Sequence, residues 1–103
     1  MAIREITEQE WLDRAEPASG KEALFFFTAL CGTCKLAEKM LDIALAAGPS
    51  IPVSKLNINY SPRLRDQWEI SSVPCLIVLR DGQPVQKEYA MRSVVDLRER
   101  LKV

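Results

Sequence analysis

The chain has no histidine in 103 residues. That removes every Cys-His catalytic pair and every zinc site built from paired cysteines and histidines. Net charge is missing as well: 14 Lys and Arg stand against 14 Asp and Glu, and the basic residues are scattered. No bulk field calls in nucleic acid or an anionic membrane, so neither is expected as a partner. Long apolar runs are also absent. The longest, Ala23 to Cys31 broken by Thr28, falls far short of the roughly 20 residues that span a bilayer. Met1-Ala2-Ile3-Arg4-Glu5 offers no apolar core of signal-peptide length and no small-residue cleavage site. A soluble, cytoplasmic protein is expected. Cysteine is sparse, three residues in all. In a cytosolic chain this does not suggest a disulfide framework, and catalytic or metal-binding use is favoured.

What is present is ordinary globular material. Hydrophobic residues make up 48% and charged residues 27%, enough to bury a core without staples. The length suits one compact domain over residues 1–103. No repeat, low-complexity segment or interdomain linker interrupts it, and a monomer is expected.

Hydrophobic patterning orders the elements. Ile3 to Ile6 alternates as a short edge strand. Thr7-Glu8-Gln9-Glu10 reads as a capping box, with Trp11, Leu12 and Ala15 as the apolar stripe of the helix behind it. Pro17-Ala18-Ser19-Gly20 closes that helix in a loop. Ala23 to Thr28 is apolar on both faces, as a central strand covered on both sides must be. A helix follows from Thr33 to about Ala46, with Leu36, Ala37, Met40, Leu41, Ala44 and Leu45 at helical spacing. Gly48-Pro49 stops it. Val53 to Ile58 is the next strand. Ser61-Pro62 opens a short helix to about Glu69, with serine as cap and proline at the first position. Cys75 to Leu79 is a third apolar strand. Asp81-Gly82 turns it into an antiparallel return, Val85 to Tyr89. Ser93 and Asp96 form a second capping box, and Val94, Val95, Leu97 and Leu101 line the last helix. The order β-α-β-α-β-α-β-β-α predicts an α/β fold, a mixed central sheet flanked by helices on both faces.

The chemistry concentrates at Cys31-Gly32-Thr33-Cys34, where the central strand hands over to a helix. A thiolate attacks, and a thiol does not. At a helix N-terminus the free N–H groups and the dipole favour negative charge by roughly 0.3–2 kcal/mol, which draws a thiol down from about 8.5 towards neutrality. Helical neighbours at i and i+3 have Cβ atoms ~5–6 Å apart, whereas a disulfide wants about 3.5–4.5 Å. The first cysteine must therefore lie outside the helical turn, and Gly32 removes the steric barrier to that bend. Cys31 is then the exposed attacking sulfur and Cys34 the buried resolving one. A pair of inert thiols, or half of a zinc site, is the alternative. Zinc needs about four ligands, and three cysteines without histidine fall short, so no metal and no bound cofactor are expected.

These residues resemble the thioredoxin family. Phe26 to Lys35 is similar to its strand and Trp-Cys-Gly-Pro-Cys-Lys site. Lys55-Leu56-Asn57-Ile58-Asn59 is similar to its Lys-Leu-Asn-Ile-Asp strand. Ser72-Val73-Pro74-Cys75-Leu76 is similar to its Ile-Pro-Thr-Leu segment, and Asp81-Gly82 matches its hairpin turn. The resemblance implies a thioredoxin fold and a thiol-disulfide oxidoreductase that reduces disulfide-containing proteins. A reductase or low-molecular-weight thiol would recharge it. It implies a cis Val73-Pro74 bond beside the dithiol, with Val73 backbone groups pairing with substrate, and Leu30, Lys55 and Pro74 around the site. A binding or redox-sensing module with little turnover is the other reading of the same fold.

Four positions depart from the family. Thr33 replaces proline and brings a hydroxyl near the sulfurs. Leu30 replaces tryptophan. Phe25 stands at the position of a buried aspartate, which leaves Lys55 without that carboxylate and predicts slower or water-mediated proton transfer at Cys34. Cys75 replaces threonine, either as a core residue or as a third thiol near the pair.

Overall fold

Phe25 and Phe26 are neighbours in the chain and both are fully buried. In a strand, successive side chains point to opposite faces, so this segment needs a core on each side. The computed structural model describes residues 3–14 and 20–103 and provides both. The strands are β1 (Arg4–Glu5), β2 (Lys21–Phe27), β3 (Val53–Asn57), β4 (Cys75–Arg80) and β5 (Gln83–Glu88). The helices are α1 (Glu8–Leu12), α2 (Gly32–Ala46), α3 (Pro62–Gln67) and α4 (Val94–Arg100), with a 3-10 turn at Ile58–Tyr60.

The sheet order is β1-β3-β2-β4-β5. β3 runs parallel to β1 and β2, whereas β4 is antiparallel to both β2 and β5. One core holds Ala23, Phe25, Leu76 and Val78 against Ala37, Leu41 and Ala44 of α2 and Leu97 of α4. The other holds Leu24, Phe26, Cys75 and Ile77 against Leu64 and Trp68, with Trp11 and Leu12 of α1 packed alongside. Burying one such phenylalanine or leucine contributes roughly 1.5–3 kcal/mol. The expected architecture is therefore the observed one, with a helical layer on each face.

Local signals located most boundaries. The Thr7–Glu10 capping box is complete, with both reciprocal hydrogen bonds formed. Asp81 and Gly82 take φ of 51° and 79°, the two left-handed residues that a tight hairpin turn requires. β1 is shorter than Ile3 to Ile6, β2 starts at Lys21, and Ile58 leaves the strand for the 3-10 turn. α1 ends at Leu12, and Ala15 and Pro17 to Ser19 lie outside the described residues. α3 ends at Gln67, and the return strand is Gln83–Glu88.

Several expectations are corrected by long-range contacts. Gly48 does not cap α2 with a left-handed residue, since only Gly20 and Gly82 among the glycines have positive φ. Instead Arg98 Nη1 donates to the carbonyls of Ala44 at 3.2 Å and Gly48 at 3.3 Å. A Cβ on Gly48 would lie 3.1 Å from the Arg98 guanidinium, so the glycine makes room for that cation. Ser61 does not cap α3; its hydroxyl donates to the Asn57 carbonyl at 2.9 Å. The cap comes from buried Glu8, whose Oε2 accepts from Leu64 N at 2.7 Å. Ser93 caps α4, but Asp96 pairs with Arg100 at 3.0 Å and leaves the second capping box half formed. Leu36 and Val95 are 60% and 79% exposed. Leu36 lies about a quarter-turn from the Ala37–Leu41–Ala44 stripe that faces the sheet.

Candidate active site

β2 ends at Phe27, and a turn through Ala29 and Leu30 delivers the chain to Cys31. Cys31 has φ −113° and ψ 108°, extended backbone, and is the N-cap of α2. The first helical hydrogen bond runs from Lys35 N to Cys31 O at 3.1 Å. Cys31 thus stands outside the helical turn, and its sulfur folds back over the helix start. It forms a disulfide with Cys34, with Cα atoms 5.2 Å apart. Cys31 is half-buried and Cys34 fully buried. The sulfur of Cys31 also does the work of a cap side chain: it accepts from Cys34 N at 3.1 Å. Thr33 Oγ1 lies 3.3 Å from the same sulfur.

Gly32 does not play the part expected of it. Its φ is not in the left-handed region, and a Cβ there would meet nothing within 4 Å. The bend is made by the extended Cys31 backbone. A Cβ would be accommodated at position 32 without a clash.

The Val73-Pro74 peptide is cis, as the resemblance implies. Pro74 helps wall a cleft of about 390 Å³ together with Thr33, Leu36, Met40 and Met91. Val73 packs against the second core. Leu30 is 98% exposed and presents a free apolar side chain next to Cys31. The cleft residues Met40 and Met91 were not picked out as site residues. They come from α2 and from the loop before α4, and no local pattern links them.

Lys55 lacks a carboxylate at position 25, as expected, and takes a different carboxylate partner from α2. Its Nζ lies 2.8 Å from Glu38 Oε2, and both side chains are largely buried. Phe25 and Lys55 are register partners in β2 and β3, so Lys55 shares the sheet face that α2 covers. Glu38 follows Cys34 by one helical turn, and its carboxylate reaches down to Lys55. By pattern Glu38 belongs to the wet face of the helix, and its i+4 relation to Cys34 was the available signal.

Cys75 is a free thiol and fully buried. It lies in the core on the α3 side of the sheet, opposite the face that α2 covers. Burial pushes its thiol up to about 12, with Lys87 drawing it down and Glu88 pushing it up. Among the described residues no group of three or more Cys, Asp or Glu side chains is placed to hold a metal ion. No helix among them is long and apolar enough to cross a membrane.

A mixed five-stranded sheet, helices on both faces, and a dithiol closing at the start of a helix beside a cis proline define a class: thiol-disulfide oxidoreductases. The chain belongs to the thioredoxin family, whose model matches residues 2–102. It is 37% identical over 100 residues to the thioredoxin-like protein YusE of Bacillus subtilis, covering 97% of this chain and 92% of that protein. It is 30% identical to a thioredoxin of Chlamydia trachomatis, over 88% of this chain and 87% of that one. Among solved structures, a mutant thioredoxin of Halobacterium salinarum superposes with a TM-score of 0.81 at 20% identity, over 97% of this chain and 88% of that one. Oxidised mitochondrial thioredoxin 3 of Saccharomyces cerevisiae gives 0.79 at 21% identity, over 96% and 92%. The protein is a thioredoxin-family thiol-disulfide oxidoreductase.

Proposed function

We propose that the protein reduces disulfides in cytoplasmic proteins as a monomer, with Cys31 attacking and Cys34 resolving. The observation that carries this is the asymmetry of the pair: Cys31 is half-exposed at the cap of α2, and Cys34 is buried one turn inside. The Cys31 thiolate bonds to one substrate sulfur and expels the other as a thiolate. Cys34 then loses its proton and attacks the Cys31 sulfur, releasing the first substrate sulfur and closing the disulfide. Two electrons and two protons pass from the dithiol to the substrate. A reductase or a low-molecular-weight thiol returns them. No bound cofactor takes part.

The surroundings have supporting roles in this reading. An extended substrate segment pairs with the backbone at Val73, as in strand addition, and packs on Pro74 and exposed Leu30. Lys55, held by Glu38, supports the helix one turn beyond Cys34.

Reduction of insulin disulfides by the wild type, Cys31→Ser and Cys34→Ser tests the assignment. Both variants should lose turnover, and Cys34→Ser should accumulate a mixed disulfide through Cys31. Turnover that survives either change rejects the roles. Absence of turnover in the wild type, with partners still captured by Cys34→Ser, makes the protein a binding or redox-sensing module.

A further inference from the structure

We infer that Arg92 selects substrates: the cleft beside the dithiol takes protein segments that carry a carboxylate side chain close to the reacting cysteine, and the Arg92 guanidinium receives it. The inference rests on the proposed reduction of protein disulfides at Cys31. Among the described residues that line the cleft, Arg92 is the only charged one. Leu36, Met40 and Met91 give the cleft an apolar wall. Two other lining side chains have polar atoms, and both are engaged. Thr33 Oγ1 lies 3.3 Å from the Cys31 sulfur, and the Tyr89 hydroxyl accepts from Ser71 N at 3.1 Å. Arg92 is exposed, and makes no ion pair or side-chain hydrogen bond among the described residues.

The fold gives no reason for a cation at this position. Arg98 and Arg100, on the helix that follows, are committed. Arg98 serves the Ala44 and Gly48 carbonyls, and Arg100 pairs with Glu88 and Asp96. Arg92 directly precedes Ser93, the N-cap of α4, where a positive charge opposes the helix dipole. What Arg92 does line is a cleft whose Thr33 touches the Cys31 sulfur, so a segment lying there lies beside the reacting atom. The two kinds of lining have different effects. Methionine side chains are flexible and fill whatever shape is offered, so the apolar wall binds without discriminating. A cation at that wall does discriminate: it attracts a carboxylate, gains little from an amide and repels an ammonium group. A guanidinium also matches a carboxylate with two parallel hydrogen bonds. The formal charge of the whole chain is zero, so a bulk field supplies no such preference.

Three peptides test the inference. Each has one leucine and one cysteine, the cysteine joined as a disulfide to pyridine-2-thiol, with glutamate, glutamine or lysine at the remaining positions. Cys31 bonds to the peptide sulfur and expels pyridine-2-thiolate, whose absorbance gives the rate constant. Cys34 then closes the protein disulfide and frees the peptide thiol. The reduced wild type should react about three- to fivefold faster with the glutamate peptide than with the glutamine one, and slowest with the lysine peptide. Raising the salt from about 0.01 M to about 1 M shortens the screening length from ~30 Å to ~3 Å and should bring the ratios close to one. Arg92→Gln should remove the preference, and Arg92→Glu should turn it towards lysine. Arg80→Gln removes the same charge at the exposed far end of β4 and should keep the wild-type ratios. Each ratio compares two peptides on one preparation, so any unfolded fraction cancels. Equal rates with glutamate and glutamine in the wild type overturn the inference, as does an unchanged preference in Arg92→Gln. An equal loss in Arg80→Gln also overturns it, because net charge and not a contact in the cleft would then be the cause. If the wild type reacts with none of the peptides, the proposed reduction at Cys31 fails and takes the inference with it, whereas reaction with all three at one rate overturns the inference alone.

Discussion

Cys31 and Cys75 carry the same functional group in opposite surroundings. Cys31 caps α2 with an extended backbone, and its sulfur takes hydrogen bonds from Cys34 N and from Thr33. Cys75 begins β4 directly after the cis proline, yet its side chain lies fully buried among Phe26, Leu64 and Trp68. Its position in the chain places it beside the site, and the alternation of the strand turns it into the far core. Polar hydrogens aimed at a sulfur make it reactive, and a dry apolar shell makes it inert. The bland reading of Cys75, a small core residue, is the one that the geometry favours.

The largest expected difference is in reactivity. With the Cys75 thiol at about 12 against an ordinary 9.0, its thiolate population below pH 9 falls about a thousandfold. Iodoacetamide applied to the reduced, folded protein at pH 8 should label Cys31, and should label Cys75 only after denaturation. Labelling of Cys75 at its denatured rate in the folded protein breaks the comparison. The pH dependence follows in sign. The native state holds the Cys75 proton up to about pH 12, and the unfolded chain releases it near 9.0. This contribution to stability is whole below about pH 9 and is lost as pH rises towards 12.

The second difference is in stability. Cys75→Ser buries a hydroxyl in a core without a designed partner and should cost about 2–3 kcal/mol in urea unfolding of the reduced protein. Cys31→Ser should cost less than about 1 kcal/mol in the same measurement, because serine is itself a good N-cap. Equal losses at the two positions would mean that the cap geometry at Cys31 matters more than its acceptor. The smallest effect is expected beside the cap. Gly32→Ala adds a Cβ that meets nothing within 4 Å, and its unfolding free energy should stay within about 0.5 kcal/mol of the wild type. A larger loss would restore a conformational role to that glycine.

The site and the fold were legible in the sequence to different depths. The strand–dithiol–helix junction, the Thr7–Glu10 box and the Asp81-Gly82 turn are written within a few residues, and all three formed as expected. Central strands were visible because Ala23 to Phe27 and Cys75 to Leu79 are apolar on both faces. Capping of α3 and of the α2 C-terminus was misread. The local signals there, Ser61 and Gly48, were outcompeted by Glu8 and Arg98, which lie 56 and 54 residues away from Leu64 and Ala44. The partner of Lys55 was missed for the same reason. The family pattern puts a carboxylate at position 25, whereas here the partner of Lys55 comes from α2.

By itself the sequence determined the elements, their order and the identity of the reactive pair. Those depend on side-chain periodicity and on contacts three or four residues apart, which exist before the chain has folded. Only the tertiary structure decided which polar groups meet: Lys55 with Glu38, Leu64 N with Glu8, and the α2 carbonyls with Arg98. It also decided that Leu36 faces outwards over the cleft while Cys75 faces into the opposite core. Such pairings follow from how helices settle on a sheet. A buried donor, acceptor or charge takes whichever partner the packing brings within about 3 Å, at whatever distance along the chain.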